Sequence, residues 1–250
     1  MNFLPRIAVS LAAAMLIASP VAASAQSFSS DQRHEIENII KDYLIAHPEV
    51  LQDAQAALDK RQQESAAQKA RAAIKKNSAT LFSSPHQVVL GNPNGKVTMV
   101  EFFDYNCPHC KDALPDMLNL LKADHELKFV LKEFPILAQG SVEAAHVAVA
   151  VHMQDPTGAK YLAFHEKLFS GRGMVDQGRA LAAAKDVGCD MGRIEKDMNS
   201  PEVKTTINEN MKLAEAIGVD GTPSYVIGDE LIVGAIGFDK LQEKIVAAQK

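Results

Sequence analysis

The 250-residue chain has no tryptophan, only 6% aromatic residues and three cysteines. Three cysteines are too few for the disulfide framework that staples small secreted domains. The 26 Lys and Arg are outnumbered by 31 Asp and Glu, a formal charge of −5. The basic surface that tracks a nucleic-acid backbone is therefore missing, and no nucleic-acid partner is expected. Beyond Ala18 no uninterrupted apolar run approaches the ~20 residues that cross a bilayer. What is present, 47% hydrophobic and 23% charged residues, is ordinary globular composition. It excludes wholesale disorder, collagen-like repeats and a multi-span membrane protein.

The first stretch bears on compartment. Met1 to Arg6 carries one positive charge, Ile7 to Ala18 is almost wholly apolar, and Ala23-Ser24-Ala25 supplies small residues. This pattern predicts a cleaved secretory signal peptide over 1–25, its apolar run being too short for an anchor. Cleavage removes Arg6 and no acid, leaving 25 positive against 31 negative residues, a charge of −6. The mature protein is then expected in an oxidising compartment where disulfides persist, the periplasm in a Gram-negative source.

Residues 26–80 carry no strand signal. Ile36, Ile39, Ile40, Tyr43 and Leu44 recur at helical spacing behind the capping candidates Ser29, Ser30 and Asp31. His47-Pro48 interrupts them, since the residue before proline leaves the helical region. Pro48 can then open a second helix bearing Val50, Leu51, Ala54 and Leu58. From Arg61 to Lys76 only Ile74 is a large anchor, which fits a solvated helix or a flexible spacer. Two helices of about thirty residues fall below the ~40 that usually support a core. Their apolar face must pack on the rest of the chain or, as preferred here, on identical helices of other protomers. Residues 29–60 are thus the expected homo-oligomer contact, with 61–76 as a connecting arm.

The remaining region, 81–250, reads as α/β. Val97–Phe103 and Lys128–Phe134 read as strands, and Cys107–Lys122 between them has helical spacing, a strand–helix–strand unit. A long Ala-, Val- and Met-bearing helical stretch, about 138–217, is broken at Pro156, Gly171–Gly173 and Gly188. Ser224–Ile227, Glu230–Val233 and a helix over Phe238–Gln249 close the chain. The expected fold is an α/β core carrying an all-helical insertion.

Cys107-Pro108-His109-Cys110 falls where strand gives way to helix. Two intervening residues on a first helical turn bring the sulfurs close enough for a Cys107–Cys110 disulfide. At a helix N-terminus, free N–H groups and the macrodipole favour a thiolate at Cys107. His109 can add positive charge or a donor. A low-pKa Cys107 would attack and leave readily, with the more buried Cys110 resolving the mixed disulfide. The competing reading is half of a zinc site, but closed zinc sites need four ligands and no second C-x-x-C follows. No metal and no cofactor are expected.

These residues resemble the thioredoxin superfamily, specifically its DsbA-like branch of exported thiol–disulfide oxidoreductases. The resemblance is carried by Val100-Glu101-Phe102-Phe103-Asp104-Tyr105-Asn106 with the C-P-H-C, and by Gly221-Thr222-Pro223-Ser224-Tyr225-Val226-Ile227. It covers roughly Val88 to Lys250 and implies a thioredoxin-like fold with an inserted helical domain. It further implies that Pro223 is a cis-proline facing the active site and that Thr222 pairs through its backbone with extended client and tunes redox behaviour. Alone, Thr222-Pro223 would read as an ordinary turn. Glu101 matches a buried acid that relays a proton from the buried cysteine. An inward charge is costly unless paired or functional, and Lys132 on the next strand is a candidate partner; the bland alternative is that both face solvent.

Cys189 reads as a small buried hydrophobe, and His86, His125, His146, His152 and His165 are assigned no function. The N-terminal layout resembles suppressor-of-copper-sensitivity C (ScsC)-type proteins, which implies an oligomeric disulfide isomerase or reductase. Its expected partners are unfolded or misoxidised clients and a membrane redox partner. A DsbA-like oxidase is the alternative; a Cu(I)-sequestering protein, whose thiolates suit a soft metal, is the alternative of another class.

Overall fold

The structure, a computed structural model, describes residues 28–249. The expected signal peptide over 1–25 lies outside the described residues. The chain divides into two compact units, one ending at Ala57 and one running from Leu58 onward.

In the first unit, α1 (Ser30–Ala46) begins with a capping box. Ser29 Oγ accepts from the Gln32 N–H, and Gln32 Oε1 accepts from the Ser29 N–H, which satisfies two donors that a helix start leaves open. The helix stops at His47 and α2 (Glu49–Lys76) starts directly after Pro48. No side chain of α1 is buried, and Ile39 is 61% exposed. The apolar stripe is left exposed apart from half-buried Leu44, and the Tyr43 ring lies 4.7 Å from that of His47.

Helix α2 is continuous, so residues 61–76 are helical rather than irregular. Ile74 is its one buried residue, 2% exposed. It packs in a cluster with Leu81, Val100, Phe102 and Leu213.

The second unit continues with α3 (Ser78–Ser83), β1 (Val88–Gly91), β2 (Val97–Phe103), α4 (Pro108–Ala123) and β3 (Leu127–Glu133). Five helices follow: α5 (Gln139–Gln154), α6 (Ala159–Ser170), α7 (Gln177–Asp186), α8 (Met191–Asp197) and α9 (Pro201–Ile217). Then come β4 (Ser224–Ile227), β5 (Glu230–Val233) and α10 (Phe238–Ala248). The sheet order is β1-β3-β2-β4-β5, with only β2 and β3 parallel. The βαβ crossover is therefore β2–α4–β3, the unit expected from the sequence. Strand β1 (four residues) and helix α3 (six residues) were not foreseen.

Three breaks inside the helical block fall at the anticipated Pro156, Gly171–Gly173 and Gly188, and a fourth, between α8 and α9 ahead of Pro201, was not foreseen. Gly158 starts α6 in the left-handed region at φ +80°, and a Cβ there would press on Val89 O and Leu90 at 3.1 Å. Only glycine meets both demands.

Strand parity divides the core. Met99, Phe103, Phe129 and Leu131 face α4 and the helical block in one cluster. Val100, Phe102 and Val130 face Ile74, Leu81 and Ile217 in another. The central strands β2 and β3 are buried nearly end to end, as expected for strands covered on both sides.

Candidate active site

Cys107 is the residue immediately before α4, with Pro108 in the first helical position. Proline suits that position because its missing N–H would have had no partner there. Cys107 is 5% exposed and Cys110 is buried, while Pro108 and His109 are exposed. Both cysteines are free thiols, so this is the reduced form of the couple.

The Cys107 thiol is held down to about 5. The Cys110 side-chain hydrogen bond does most of this, against the opposing cost of burial; the Thr222 side chain and the backbone N–H groups of Cys110 and His109 assist. What reaches the sulfur from position 109 is thus the main-chain amide, the helix-start donor expected at this site. Cys110 is pushed far up, first by burial and then by its bond to Cys107 and by the Glu101 charge. One sulfur is poised as a thiolate and the other as a buried thiol.

The second loop of the site comes from the far end of the chain. Thr222-Pro223 is a cis peptide bond, and the Thr222 carbonyl lies 3.1 Å from Cys107 Sγ, accepting from the thiol. Pro223 is buried and Thr222 half-buried. Strand β4 pairs antiparallel with β2, placing Tyr225 beside Glu101.

Glu101 is buried with both cysteine sulfurs in electrostatic reach. Burial, then the Cys107 charge, raises its carboxyl to about 8. The expected partnership with Lys132 does not form. Register places Lys132 opposite Phe102, and Glu101 opposite Leu131, so the two side chains leave the sheet on opposite faces. Lys132 is fully buried and donates through Nζ to the Thr80 carbonyl at 3.1 Å; burial lowers its amine to about 8. Neither residue faces solvent, so the bland alternative fails as well.

Three neighbours of the motif escaped sequence reasoning. Buried Asp104 accepts through Oδ1 from the Asn106 N–H at 2.7 Å, and through Oδ2 from Ile136 and Leu137 at 2.8 and 3.0 Å. Asn106 is bonded to Val175 and Ser141. Tyr105 joins a buried cluster in which its hydroxyl lies 3.2 Å from His165 Nδ1 and donates to Tyr161, which in turn donates to Glu133. Burial raises Glu133 and pushes His165 down to about 3. The available signal was a polar run, Asp104 to Asn106, closing an apolar strand.

Cys189 is half-buried, packs against the larger core cluster, and has its thiol raised by burial. A cleft of about 510 Å³ opens at Cys107; a larger one of about 690 Å³ lies between α2 and the β4–β5 hairpin and touches neither cysteine. Among the described residues no group of three His, Cys, Asp or Glu side chains is arranged to hold a metal ion.

Residues 98–246 match the family described as "DSBA-like thioredoxin domain", and residues 32–64 match "Copper resistance protein ScsC N-terminal domain". Among solved structures, a thioredoxin-like oxidoreductase from Silicibacter pomeroyi is 41% identical, with a TM-score of 0.65 over 68% of this chain and 96% of its own. BcfH from Salmonella enterica Typhimurium is 28% identical, with a TM-score of 0.76 over 88% and 97%. ScsC from Proteus mirabilis, in a transitional conformation, is 26% identical, with a TM-score of 0.65 over 89% and 99%.

Proposed function

The chain belongs to the DSBA-like thioredoxin-domain family of thiol–disulfide oxidoreductases, and from that premise we propose that it is an exported, oligomeric disulfide isomerase or reductase acting on unfolded or misoxidised clients. The pairing of a Cys107 thiol lowered to about 5 with a buried Cys110 thiol raised far above its ordinary value carries the thiol-exchange chemistry, and the observation that carries the choice of an oligomeric isomerase or reductase is the exposed apolar face of α1 with the ScsC N-terminal match over 32–64.

In this reading the Cys107 thiolate attacks one sulfur of a client disulfide. A Cys107–client S–S bond forms, and the client's other sulfur leaves as a thiolate and takes a proton. For isomerisation that freed thiolate attacks a different client disulfide, eventually expelling Cys107 unchanged. For reduction Cys110 loses its proton and attacks Cys107 Sγ, releasing the client thiol and closing a Cys107–Cys110 disulfide; a membrane redox partner then restores the dithiol. Glu101 is the acceptor for the Cys110 proton, because it is the buried carboxyl in reach of that sulfur. Pro108 and His109 set the helix start, and Thr222-Pro223 offers main chain to an extended client segment beside Cys107.

Supporting the oligomer are the exposed stripe on α1 and the ScsC N-terminal match over 32–64. The proposed organisation is a signal peptide over 1–25, an oligomerisation segment and linker over 26–80, and the thioredoxin domain with its helical insertion over 81–250, delivered to the periplasm. No helix among the described residues is long and apolar enough to cross a membrane.

The test is a pair of ribonuclease assays. Recovery of activity from scrambled ribonuclease supports the isomerase; activity on reduced ribonuclease alone removes it. An oxidase is the second reading, and the depressed Cys107 pKa favours it, since stabilising the thiolate stabilises the reduced form and makes the disulfide more oxidising. The matched N-terminal family bears copper resistance in its name; Cu(I) titration of the dithiol tests that reading, binding no tighter than a generic dithiol discarding it.

A further inference from the structure

The residue immediately after β2 ties the active-site turn to its surroundings from inside. Asp104 is 1% exposed. Its Oδ1 accepts from the Asn106 N–H at 2.7 Å, and its Oδ2 accepts from the Ile136 and Leu137 N–H groups at 2.8 and 3.0 Å. A carboxylate suits this place, because both oxygens accept and neither carries a hydrogen of its own. The first bond closes the turn that leads to Cys107. The other two fasten that turn to the segment between β3 and α5.

The main chain of the same residue reaches both cysteines. The Asp104 carbonyl accepts from the Cys107 N–H at 3.0 Å, and the Asp104 N–H is hydrogen-bonded to the Cys110 sulfur. One end of the dithiol is thus held by the carbonyl and the other by the amide of a single residue, whose own place is fixed by its side chain. These contacts bracket the first turn of α4. That turn supplies most of what favours the Cys107 thiolate, namely the Cys110 side chain and the N–H groups of Cys110 and His109. Hydrogen bonds weaken steeply as their angle closes, so the thiolate depends on how firmly the turn is held.

We propose that Asp104 is the positioning residue of the dithiol: by gripping three N–H groups, its side chain fixes the main chain from which Cys107 and Cys110 are set against each other. The proposal rests on the thiol-exchange reading. The reduced form needs this support more than the oxidised form, because a closed disulfide joins the two sulfurs covalently. Position and charge act here in opposite directions. A negative charge near a thiol disfavours its thiolate, so removing the charge of Asp104 alone would lower the Cys107 titration midpoint. Loosening the turn raises it.

The test is Asp104→Asn in the full-length reduced protein, with the ultraviolet absorbance of the thiolate followed against pH. Asparagine has nearly the same shape but one accepting oxygen, so its NH2 group is turned against at least one of the three N–H groups. The midpoint should rise from about 5 by about one unit, a tenfold loss of thiolate stability. Equilibration with glutathione at neutral pH gives a second reading, in which the Cys107–Cys110 disulfide closes as oxidised glutathione is reduced to two thiols. The variant should lie about tenfold further toward the closed disulfide, a potential about 30 mV more negative. Asp104→Ser is the second variant: its hydroxyl keeps the local turn to the Asn106 N–H but is too short to hold Ile136 and Leu137 as well. It should move both readings in the same direction. Circular dichroism of the oxidised variants checks that each is folded. An unmoved midpoint in a folded variant makes Asp104 merely structural and overturns the proposal. A lowered midpoint overturns it too, because the charge of Asp104 and not its grip then acts on Cys107. Failure of the wild type to exchange even with oxidised glutathione removes the oxidoreductase reading itself and leaves no dithiol chemistry for Asp104 to serve.

Discussion

Cys107 and Cys110 are the same residue type three positions apart, yet their thiols move in opposite directions. Cys107 lies where main-chain N–H groups converge, whereas Cys110 is turned into the core and keeps its proton. Absorbance at 240 nm should therefore show one thiolate forming with a midpoint near 5 in the reduced protein, and Cys107→Ser should erase it and reduce exchange to background. The stability of the reduced protein follows the same group. Its ordinary value is 9.0 and its folded value about 5, so the thiolate's contribution is complete above pH 9. It shrinks as pH falls toward 5 and is gone below it. Urea midpoints of the wild type minus those of Cys107→Ser should display that trend. Cys189→Ser should leave exchange intact, because that thiol is half-buried and raised by burial.

Glu101 extends the argument to the resolving step. A carboxyl raised to about 8 is mostly protonated at neutral pH and becomes a base as pH rises. Release of client by Cys110 should accelerate as pH rises, with a midpoint below the reduced protein's value of about 8, because Cys107 bonded to client no longer carries the charge that helps raise Glu101. Glu101→Gln should flatten that rise and slow release about 100-fold or more, the usual weight of one general base starting at about that figure, with mixed disulfide accumulating on quenched gels. The pairing of Glu101 with Lys132 shows where single-residue reading stops. Both were recognisable as charges in apolar strands, but the face each takes depends on register between β2 and β3, and one chain written in a line carries no register.

At the scale of elements, β2, β4 and β5 were legible to the residue, and α4, β3 and α10 to within one at either end, because each is a sustained apolar period bounded by Gly, Pro or Asp. Elements α3 and β1 were not legible, although β1 is no shorter than β4 and β5, because they hold together through tertiary contacts. Lys128 and Lys132, four positions apart and so on the same face of β3, donate to the carbonyls of Phe82 and Thr80 in α3, where a helix end leaves acceptors free. The neighbouring anchor is Ile74, which sequence periodicity presented as one apolar residue in a polar helix. Its burial among Leu81, Val100 and Phe102 means that the last turn of α2 belongs to the catalytic unit. Ile74→Ala should cost about 2–5 kcal/mol, as large-to-small core changes do, while Val246→Ala on the exposed side of α10 should stay within about 0.5 kcal/mol, the range of surface changes. Urea denaturation compares the two.

For the molecule as a whole, the two compact units carry different kinds of surface. The unit from Leu58 onward buries most of its large apolar side chains in continuous clusters, whereas α1 buries none of its own and leaves Ile36, Ile39, Ile40 and Tyr43 exposed. That stripe was visible in the sequence as a helical period. What covers it was not, because a period reports that a face is apolar and not what lies against it. If identical stripes cover one another, Ile39→Asp with Ile40→Asp in the full chain should lower the mass seen by light scattering, since the substitutions put charge into the contact without touching a buried position. Deleting residues 26–57 should do the same; a deletion running to 76 would also remove Ile74 and damage the catalytic unit, confounding assembly with stability. Several dithiols on one assembly raise their local concentration around a single client. The dissociated variants should therefore keep exchange with glutathione-capped peptides while losing most activity on scrambled ribonuclease. An unchanged mass would mean that the stripe serves something other than self-assembly, and equal losses in both assays would mean that Cys107 chemistry, rather than the number of sites, limits repair.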